Sequence, residues 1–166
     1  YVTQTFQSML RDRDVSDKVI EAILNRLEYM DSDHYRNVII SDLFKRQSIS
    51  SDNFTSLLNT VDDIDSDHYA SQILMKVLRN NSLTDEQYDQ VLEKVEDIDS
   101  DHYKLVIIKD VLDAKLTEKH LMSVLDAAES IDSDYYKSEV LKNACNFVRE
   151  ASDDFTSTFR TVVGGL

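Results

Sequence analysis

Aspartate and histidine recur together in this chain, and both residue types can ligate a metal ion or transfer protons. The five residues Asp-Ser-Asp-His-Tyr stand at Asp31–Tyr35, at Asp65–Tyr69 and at Asp99–Tyr103. A near copy, Asp-Ser-Asp-Tyr-Tyr, stands at Asp132–Tyr136. Each of the first three copies places two carboxylates beside an imidazole, a combination that suits a metal site or general acid–base chemistry.

The spacing of the copies argues against a shared metal site. His34, His68 and His102 occupy equivalent positions, and equivalent positions of stacked helices lie about 8–10 Å apart. A zinc ion needs its ligands at about 2 Å, and an EF-hand calcium loop needs a glycine that these segments lack. We therefore expect no metal and no cofactor, and we interpret the motif as a helix start with solvated histidines.

The sequence also lacks the features of an active site. Catalysis needs a unique cluster of residues in a concave pocket, whereas this motif supplies several similar copies and marks out no nucleophile. The sequence therefore predicts a protein that is not an enzyme. Cys145 is the only cysteine, which excludes an internal disulfide, and the apolar helical run around it predicts an inert, buried thiol.

The regular spacing of the motif indicates a tandem repeat. The copies lie 34, 34 and 33 residues apart, and the chain has no proline and only two glycines, Gly164 and Gly165. Such a composition favours helices joined by short polar connections. Each repeat is predicted to hold an A helix, which begins at the motif, and a B helix, which follows it.

Both helix starts carry a capping pattern. The B helices are predicted to begin after Ser16, Ser50, Thr84 and Thr117, each with apolar residues on the preceding side and four positions later. For the A helices we predict Asp65 and its equivalents as N-caps, because Ile64 and Tyr69 would then form a hydrophobic staple. Ser66 is the competing N-cap. With Asp65 as the N-cap, Asp67 falls in the first turn, where a carboxylate suits the helix dipole.

These patterns predict an all-α fold, a right-handed α–α superhelix (solenoid) of about four 34-residue helix-turn-helix repeats. We expect a single domain over residues 1–166. It comprises a partial first repeat at 1–30, repeats at 31–64, 65–98 and 99–131, and a terminal repeat with its cap at 132–166. A weak helix is expected over residues 2–10, and a partial helix from Asp153 onward is expected to cap the last repeat.

The charge of the chain excludes several classes of partner. The formal net charge is −14, which repels the phosphates of nucleic acids and anionic membrane surfaces. No apolar run approaches the ~20 residues that a membrane span requires. We therefore expect a protein partner, for which the acidic charge favours a basic one, with no nucleic acid and no membrane insertion. The compartment and the oligomeric state stay open.

Much of the acidic surplus falls where a B helix ends and the next A helix begins. Capping accounts for the aspartates of the motif, but not for the carboxylates at the ends of the B helices, where the dipole disfavours negative charge. One interpretation of these carboxylates is a docking strip for a basic partner. Its candidate residues are Glu28, Asp33, His34, Asp62, Asp63, Asp67, His68, Glu96, Asp97, Asp101, His102, Glu129 and Asp134.

Four other interpretations of this edge stay open. A charged edge contributes to solubility without any partner. The carboxylates are also compatible with calcium binding, or with a structural spacer that has no partner surface. Finally, the histidines among these carboxylates are compatible with a response to pH.

The repeat resembles known helical repeats. Its period and layout resemble those of tetratricopeptide and HEAT-like repeats, although the Trp, Gly and Pro positions of the tetratricopeptide consensus are unfilled. The run Ser133-Asp134-Tyr135-Tyr136-Lys137, continuing to Val140-Leu141, resembles the Ser-Asp-Tyr helical repeats of some bacterial sensor proteins, including membrane metallopeptidase sensors. In three copies His replaces the first Tyr. The resemblance implies a bacterial regulatory or interaction module without an activity of its own.

Overall fold

A computed structural model describes residues 2–11, 15–46, 49–79, 83–113, 116–148 and 152–165. Within these ranges the protein forms ten α-helices and no strand, as the sequence predicts. The A helices are α1 (Val2–Arg11), α3 (Asp33–Arg46), α5 (Asp67–Leu78), α7 (Asp101–Leu112) and α9 (Asp134–Val148). The B helices are α2 (Asp17–Leu27), α4 (Ser51–Asp62), α6 (Asp85–Glu96), α8 (Glu118–Glu129) and α10 (Asp153–Gly164).

The predicted starts of the B helices are confirmed. Ser16, Ser50, Thr84 and Thr117 are the N-caps of α2, α4, α6 and α8, all with extended backbone. Thr84 forms a full capping box with Gln87, in which each side chain bonds the other residue's backbone N–H at 3.1–3.2 Å. The residue four positions after each of these four caps is buried, which anchors the first turn of α2, α4, α6 and α8: Ile20, Phe54, Tyr88 and Leu121.

The predicted starts of the A helices are wrong by one residue. The carbonyl of Ser66, not that of Asp65, accepts the first helical hydrogen bonds of α5, from the N–H groups of Tyr69 and Ala70. Ser100 is likewise the N-cap of α7, and its side chain makes no capping hydrogen bond. Asp67 therefore stands at the first helical position instead of the second.

The chain forms two compact units, an N-terminal unit over Tyr1–Val77 and a C-terminal unit over Leu78–Leu166. In the N-terminal unit α1 packs on α3 and α2 packs on α4. In the C-terminal unit α6 packs on α8, α7 on α9, and α8 on α10. A helices thus stack on A helices and B helices on B helices, the solenoid arrangement of helical repeats. The single domain over residues 1–166 stays a prediction.

The apolar stripes of the helices form the core of each unit. In α2 the side chains of Ile23, Leu24 and Leu27 are at most 1% exposed. Each buried aliphatic side chain contributes about 1.5–3 kcal/mol relative to an exposed one, so the seams between repeats supply most of the stability. The tail predicted from Asp153 onward is confirmed as the helix α10, which packs against α8 and α9.

The prediction for Cys145 is wrong, because its thiol is exposed. The core face of α9 is made by Val140, Leu141 and Ala144, all of which are buried. Cys145 follows Ala144 directly, and one residue turns a helix by about 100°, which carries Cys145 away from this face. None of the described helices is long and apolar enough to cross a membrane.

Candidate interaction edge

The candidate residues lie at the B–A junctions, the short segments between the end of a B helix and the start of the next A helix. Glu28, Asp63 and Asp97 are the C-caps of α2, α4 and α6. Asp62, Glu96 and Glu129 are the last helical residues of α4, α6 and α8. All six are exposed, so the junctions present carboxylates to solvent at helix C-termini. We call these six side chains the acidic edge.

The second aspartate of the motif bonds the backbone of the next repeat. In the N-terminal unit Asp33 Oδ2 accepts a hydrogen bond from the N–H of Ser66 at 3.1 Å. In the C-terminal unit the carboxylate of Asp101 accepts from the N–H groups of Asp132 and Ser133, at 3.2 and 2.8 Å. Both aspartates therefore satisfy N–H groups at the start of the following A helix, which would otherwise lack an intrahelical partner.

A buried arginine joins two successive junctions of the N-terminal unit. Arg36 is 8% exposed, and its guanidinium donates to the carbonyls of Leu27 at 3.1 Å and Glu28 at 3.3 Å. It also donates to the carbonyl of Asp63. These carbonyls belong to the ends of α2 and α4, so one cation offsets the negative ends of two helix dipoles. Asp33 lies 3.7 Å away and completes its charge pairing.

Lys104 holds the equivalent position in the C-terminal unit. It is 6% exposed, and its ammonium group donates to the carbonyl of Ser130, the C-cap of α8, at 2.8 Å. A lysine donates through a single compact group, whereas arginine offers five donors in a planar fork. Within the part of the chain that the structure describes, Lys104 therefore donates fewer hydrogen bonds to helix ends than Arg36 does.

Carboxylates repel one another near Lys104, toward the C-terminal ends of α6 and α8. Burial and the nearby carboxylates of Glu93, Asp126 and Asp97 raise the pKa of Glu96, although Lys104 opposes the shift. Burial and the carboxylates of Glu129 and Asp89 likewise raise the pKa of Asp126. A raised pKa means that the folded state disfavours the negative charge. This part of the acidic edge is therefore maintained at some cost to folding.

The histidines of the motif contact tyrosines in tilted or edge-on arrangements, both within a repeat and across repeats. In the N-terminal unit the ring centroid of His34 lies 5.3 Å from that of Tyr35 and 5.8 Å from that of Tyr69, and Tyr69 lies 5.2 Å from His68. In the C-terminal unit the centroid of His102 lies 5.2 Å from that of Tyr103 and 6.0 Å from that of Tyr136. Tyr136 lies 5.2 Å from Tyr135. Each unit thus carries a continuous array of four rings.

The imidazoles therefore have aromatic neighbours, and the carboxylates beside them have backbone partners. The rings of His34 and His102 each contact the tyrosine of the next repeat's motif. The carboxylates of Asp33 and Asp101 accept hydrogen bonds from backbone N–H groups at the start of the next A helix. Among the described residues, no group of three His, Cys, Asp or Glu side chains has an arrangement that could hold a metal ion.

Within each unit, the structure brings together the residues that the sequence singles out. Arg36 contacts the junctions of Glu28 and Asp63 at once, and the carboxylates around Glu96 come from both α6 and α8. Asp33 and Asp101 are involved in contacts between repeats, which capping alone did not predict. That the junctions of all repeats form one continuous strip stays a prediction, as does contact of any of these residues with a partner.

Sequence reasoning missed Arg36, Lys104 and Asp126. The first two occupy the position after the motif's tyrosine, where the successive copies carry Arg36, Ala70, Lys104 and Lys137. Aligning the copies would have found a recurrent cation in a helix that otherwise buries apolar side chains. Asp126 carries no such signal, because its position beside Glu96 depends on the packing of α8 against α6.

Comparisons with protein-family models, with curated proteins and with solved structures find no match for this chain.

Proposed function

We propose that the protein is a non-enzymatic interaction module whose acidic edge binds a basic segment of a protein partner. The observation that supports this most directly is the position of the six exposed carboxylates at helix C-termini, where the helix dipole disfavours negative charge. Folding does not require carboxylates there, and a basic partner would offset their charge. Complementary charge would also speed association and select the partner.

The resemblance of the motif to Ser-Asp-Tyr helical repeats adds a setting to this proposal. On that resemblance, the chain is a regulatory part of a larger bacterial protein. The resemblance to tetratricopeptide and HEAT-like repeats is compatible with the same role. The stacked two-helix repeats are compatible with such a role, since helical stacks present extended surfaces to partners.

The proposal is tested with a fluorescent peptide of ten lysines and two charge-reversed variants of the whole chain. The edge variant replaces one carboxylate at each junction by lysine: Glu28→Lys, Asp62→Lys, Glu96→Lys and Glu129→Lys. The control variant makes the same change in net charge at exposed carboxylates on the B helices, away from the junctions: Glu21→Lys, Asp52→Lys, Glu86→Lys and Asp154→Lys. Anisotropy titrations measure the Kd, and circular dichroism verifies the fold.

We expect the wild type to bind the peptide more weakly as salt is raised, since salt screens exposed charges. The edge variant should bind at least about tenfold more weakly, whereas the control variant should stay within about threefold of the wild type. Equal losses in both variants would reduce the effect to net charge and contradict the proposal. A wild type that binds no peptide favours a spacer, and calorimetric heat with calcium but not magnesium would favour a cation site.

A further inference from the structure

The ring arrays lie at the same junctions as the acidic edge. The array of the N-terminal unit consists of Tyr35, His34, Tyr69 and His68, and that of the C-terminal unit consists of Tyr103, His102, Tyr136 and Tyr135. The rings of each array stand five to seven residues after a B-helix C-cap, because the motif follows the junction directly. Each unit therefore carries aromatic rings and carboxylates in the same short segments of the chain.

The outer rings of both arrays are open to solvent. Tyr35 is 50% exposed and Tyr135 is 67% exposed, although both belong to helices whose apolar side chains are otherwise largely buried. The histidines of the arrays are exposed as well. Since burial of an aromatic ring is a large favourable term in folding, these rings contribute less to stability than their size allows. Part of each of these two tyrosines is therefore accessible to a partner.

Aromatic faces attract cations, and one junction already displays this contact within the chain. The guanidinium carbon of Arg26 lies 5.8 Å from the ring centroid of Tyr29, which belongs to the same junction as Glu28. Tyr29 is 71% exposed, so the pair forms on the surface and without help from the core. A guanidinium is thus compatible with the surroundings of this edge.

From these contacts we infer that the arrays select arginine over lysine in the basic partner. A planar guanidinium stacks on an aromatic face and forms two parallel hydrogen bonds to a carboxylate, whereas an ammonium group acts as a point charge. In each unit an exposed ring stands in the same helical turn as a carboxylate, since Tyr35 follows Asp33 by two residues and Tyr135 follows Asp134 directly. The occupant is an arginine-containing segment of a protein partner. This inference rests on the proposed function.

The test compares peptides of ten arginines and ten lysines on the whole chain. We expect the wild type to bind the arginine peptide about three- to tenfold more tightly. The double variant Tyr35→Leu/Tyr135→Leu removes the exposed faces but keeps every carboxylate, so it should lose this preference and retain its affinity for the lysine peptide. Tyr29→Leu is the control variant, because the face of Tyr29 already holds Arg26. It should keep the preference.

The outcomes separate the inference from the proposal beneath it. If the wild type binds both peptides equally, or if the double variant keeps the preference, the arrays do not select arginine, while binding by the acidic edge stands. If the double variant keeps the preference, the carboxylates alone account for it. If neither peptide binds, both the inference and the proposed function are wrong. Unfolding curves of the variants verify that loss of the exposed rings leaves the fold intact.

Discussion

The same repeat position is used differently in the two units. In the N-terminal unit Arg36 donates to three carbonyls and pairs with Asp33, so the ends of α2 and α4 are joined around one buried cation. In the C-terminal unit Lys104 donates to the carbonyl of Ser130, and the nearby carboxylates of Glu96 and Asp126 have raised pKa values. The backbone arrangement is retained in both, while the electrostatic balance differs.

The difference separates two kinds of acidic residue that look alike in the sequence. Asp33 and Asp101 are acceptors for backbone N–H groups of the next repeat and hold the stack together. Glu28, Glu96 and the rest of the acidic edge lie at helix C-termini, where negative charge is unfavourable. The first kind should be needed for folding. The second kind should be dispensable for folding and needed for binding.

The largest effect on stability is expected from replacing the buried cations Arg36 and Lys104, which donate different numbers of described hydrogen bonds to the ends of the B helices. Arg36→Met should lower the free energy of unfolding by about 3 kcal/mol, because it leaves buried carbonyls without their charged donor. Lys104→Met should lower it by only about 1.5 kcal/mol, since one described bond is lost there. Urea unfolding measures both. Equal losses would mean that the two junctions are joined with equal strength.

A smaller effect distinguishes the two aspartates within one motif. Asp101→Ala should cost about 1–1.5 kcal/mol, because two N–H groups at the start of α9 lose their acceptor. Asp99→Ala is the matched control. Asp99 is exposed and precedes the N-cap Ser100, so we expect a change within about 0.5 kcal/mol. If Asp99→Ala proved the costlier change, the aspartate would be the true cap of α7.

The B helices offer a similar comparison at the fourth position after the cap. In α4 of the N-terminal unit this residue is Phe54. In α6 of the C-terminal unit it is Tyr88, whose buried hydroxyl has no hydrogen-bond partner among the residues that the structure describes. Burial and the carboxylate of Asp89 raise the pKa of this phenol. The ring stacks on that of His120, with centroids 4.1 Å apart.

Tyr88→Phe should therefore raise the free energy of unfolding by about 1 kcal/mol, since it removes the unsatisfied hydroxyl and keeps the stacked ring. Thermal unfolding measures the change. Phe54→Tyr, the reverse substitution in the N-terminal unit, should destabilise. A loss of stability in Tyr88→Phe would show that the hydroxyl makes a favourable interaction.

The smallest effect is a pH-dependent gain in the C-terminal unit. Because the pKa of Glu96 is raised in the folded state, its ionised form destabilises folding, and that penalty disappears as the pH falls through the raised pKa. Glu96→Gln should therefore stabilise the protein at pH 7 by less than about 1 kcal/mol. The gain should be smaller at pH 4, because protonation of the wild-type side chain removes the penalty as the pH falls. Urea unfolding at both pH values measures it, and a gain that is undiminished at pH 4 would rule out charge as the cause.

The sequence allowed the repeat, the helical class and the starts of the B helices to be predicted, because these depend on local patterns. Thr84, for instance, carries its capping partner Gln87 three residues away. The start of α5 could not be predicted in the same way. The choice between Asp65 and Ser66 depends on contacts across about a repeat length, as the bond from Ser66 to Asp33 illustrates.

The candidate site was predictable only in outline. The junction carboxylates follow from the repeat, whereas the roles of Arg36 and Lys104 depend on which carbonyls the stacked helices bring within reach. Cys145 illustrates the same limit, because a shift of one residue along α9 separates the buried Ala144 from an exposed thiol. Apolar periodicity identifies the face of a helix that is buried. The packing of neighbouring repeats decides whether a residue at the margin of that face is buried or exposed.

The free energy of unfolding of the edge variant, with lysine at positions 28, 62, 96 and 129, tests most directly whether the acidic edge is dispensable for folding. We predict a value equal to or higher than that of the wild type at pH 7, because lysine suits helix C-termini and relieves the repulsion around position 96. A marked loss of stability would contradict it. The carboxylates of the acidic edge would then hold the fold together, and no stability would be given up for a partner.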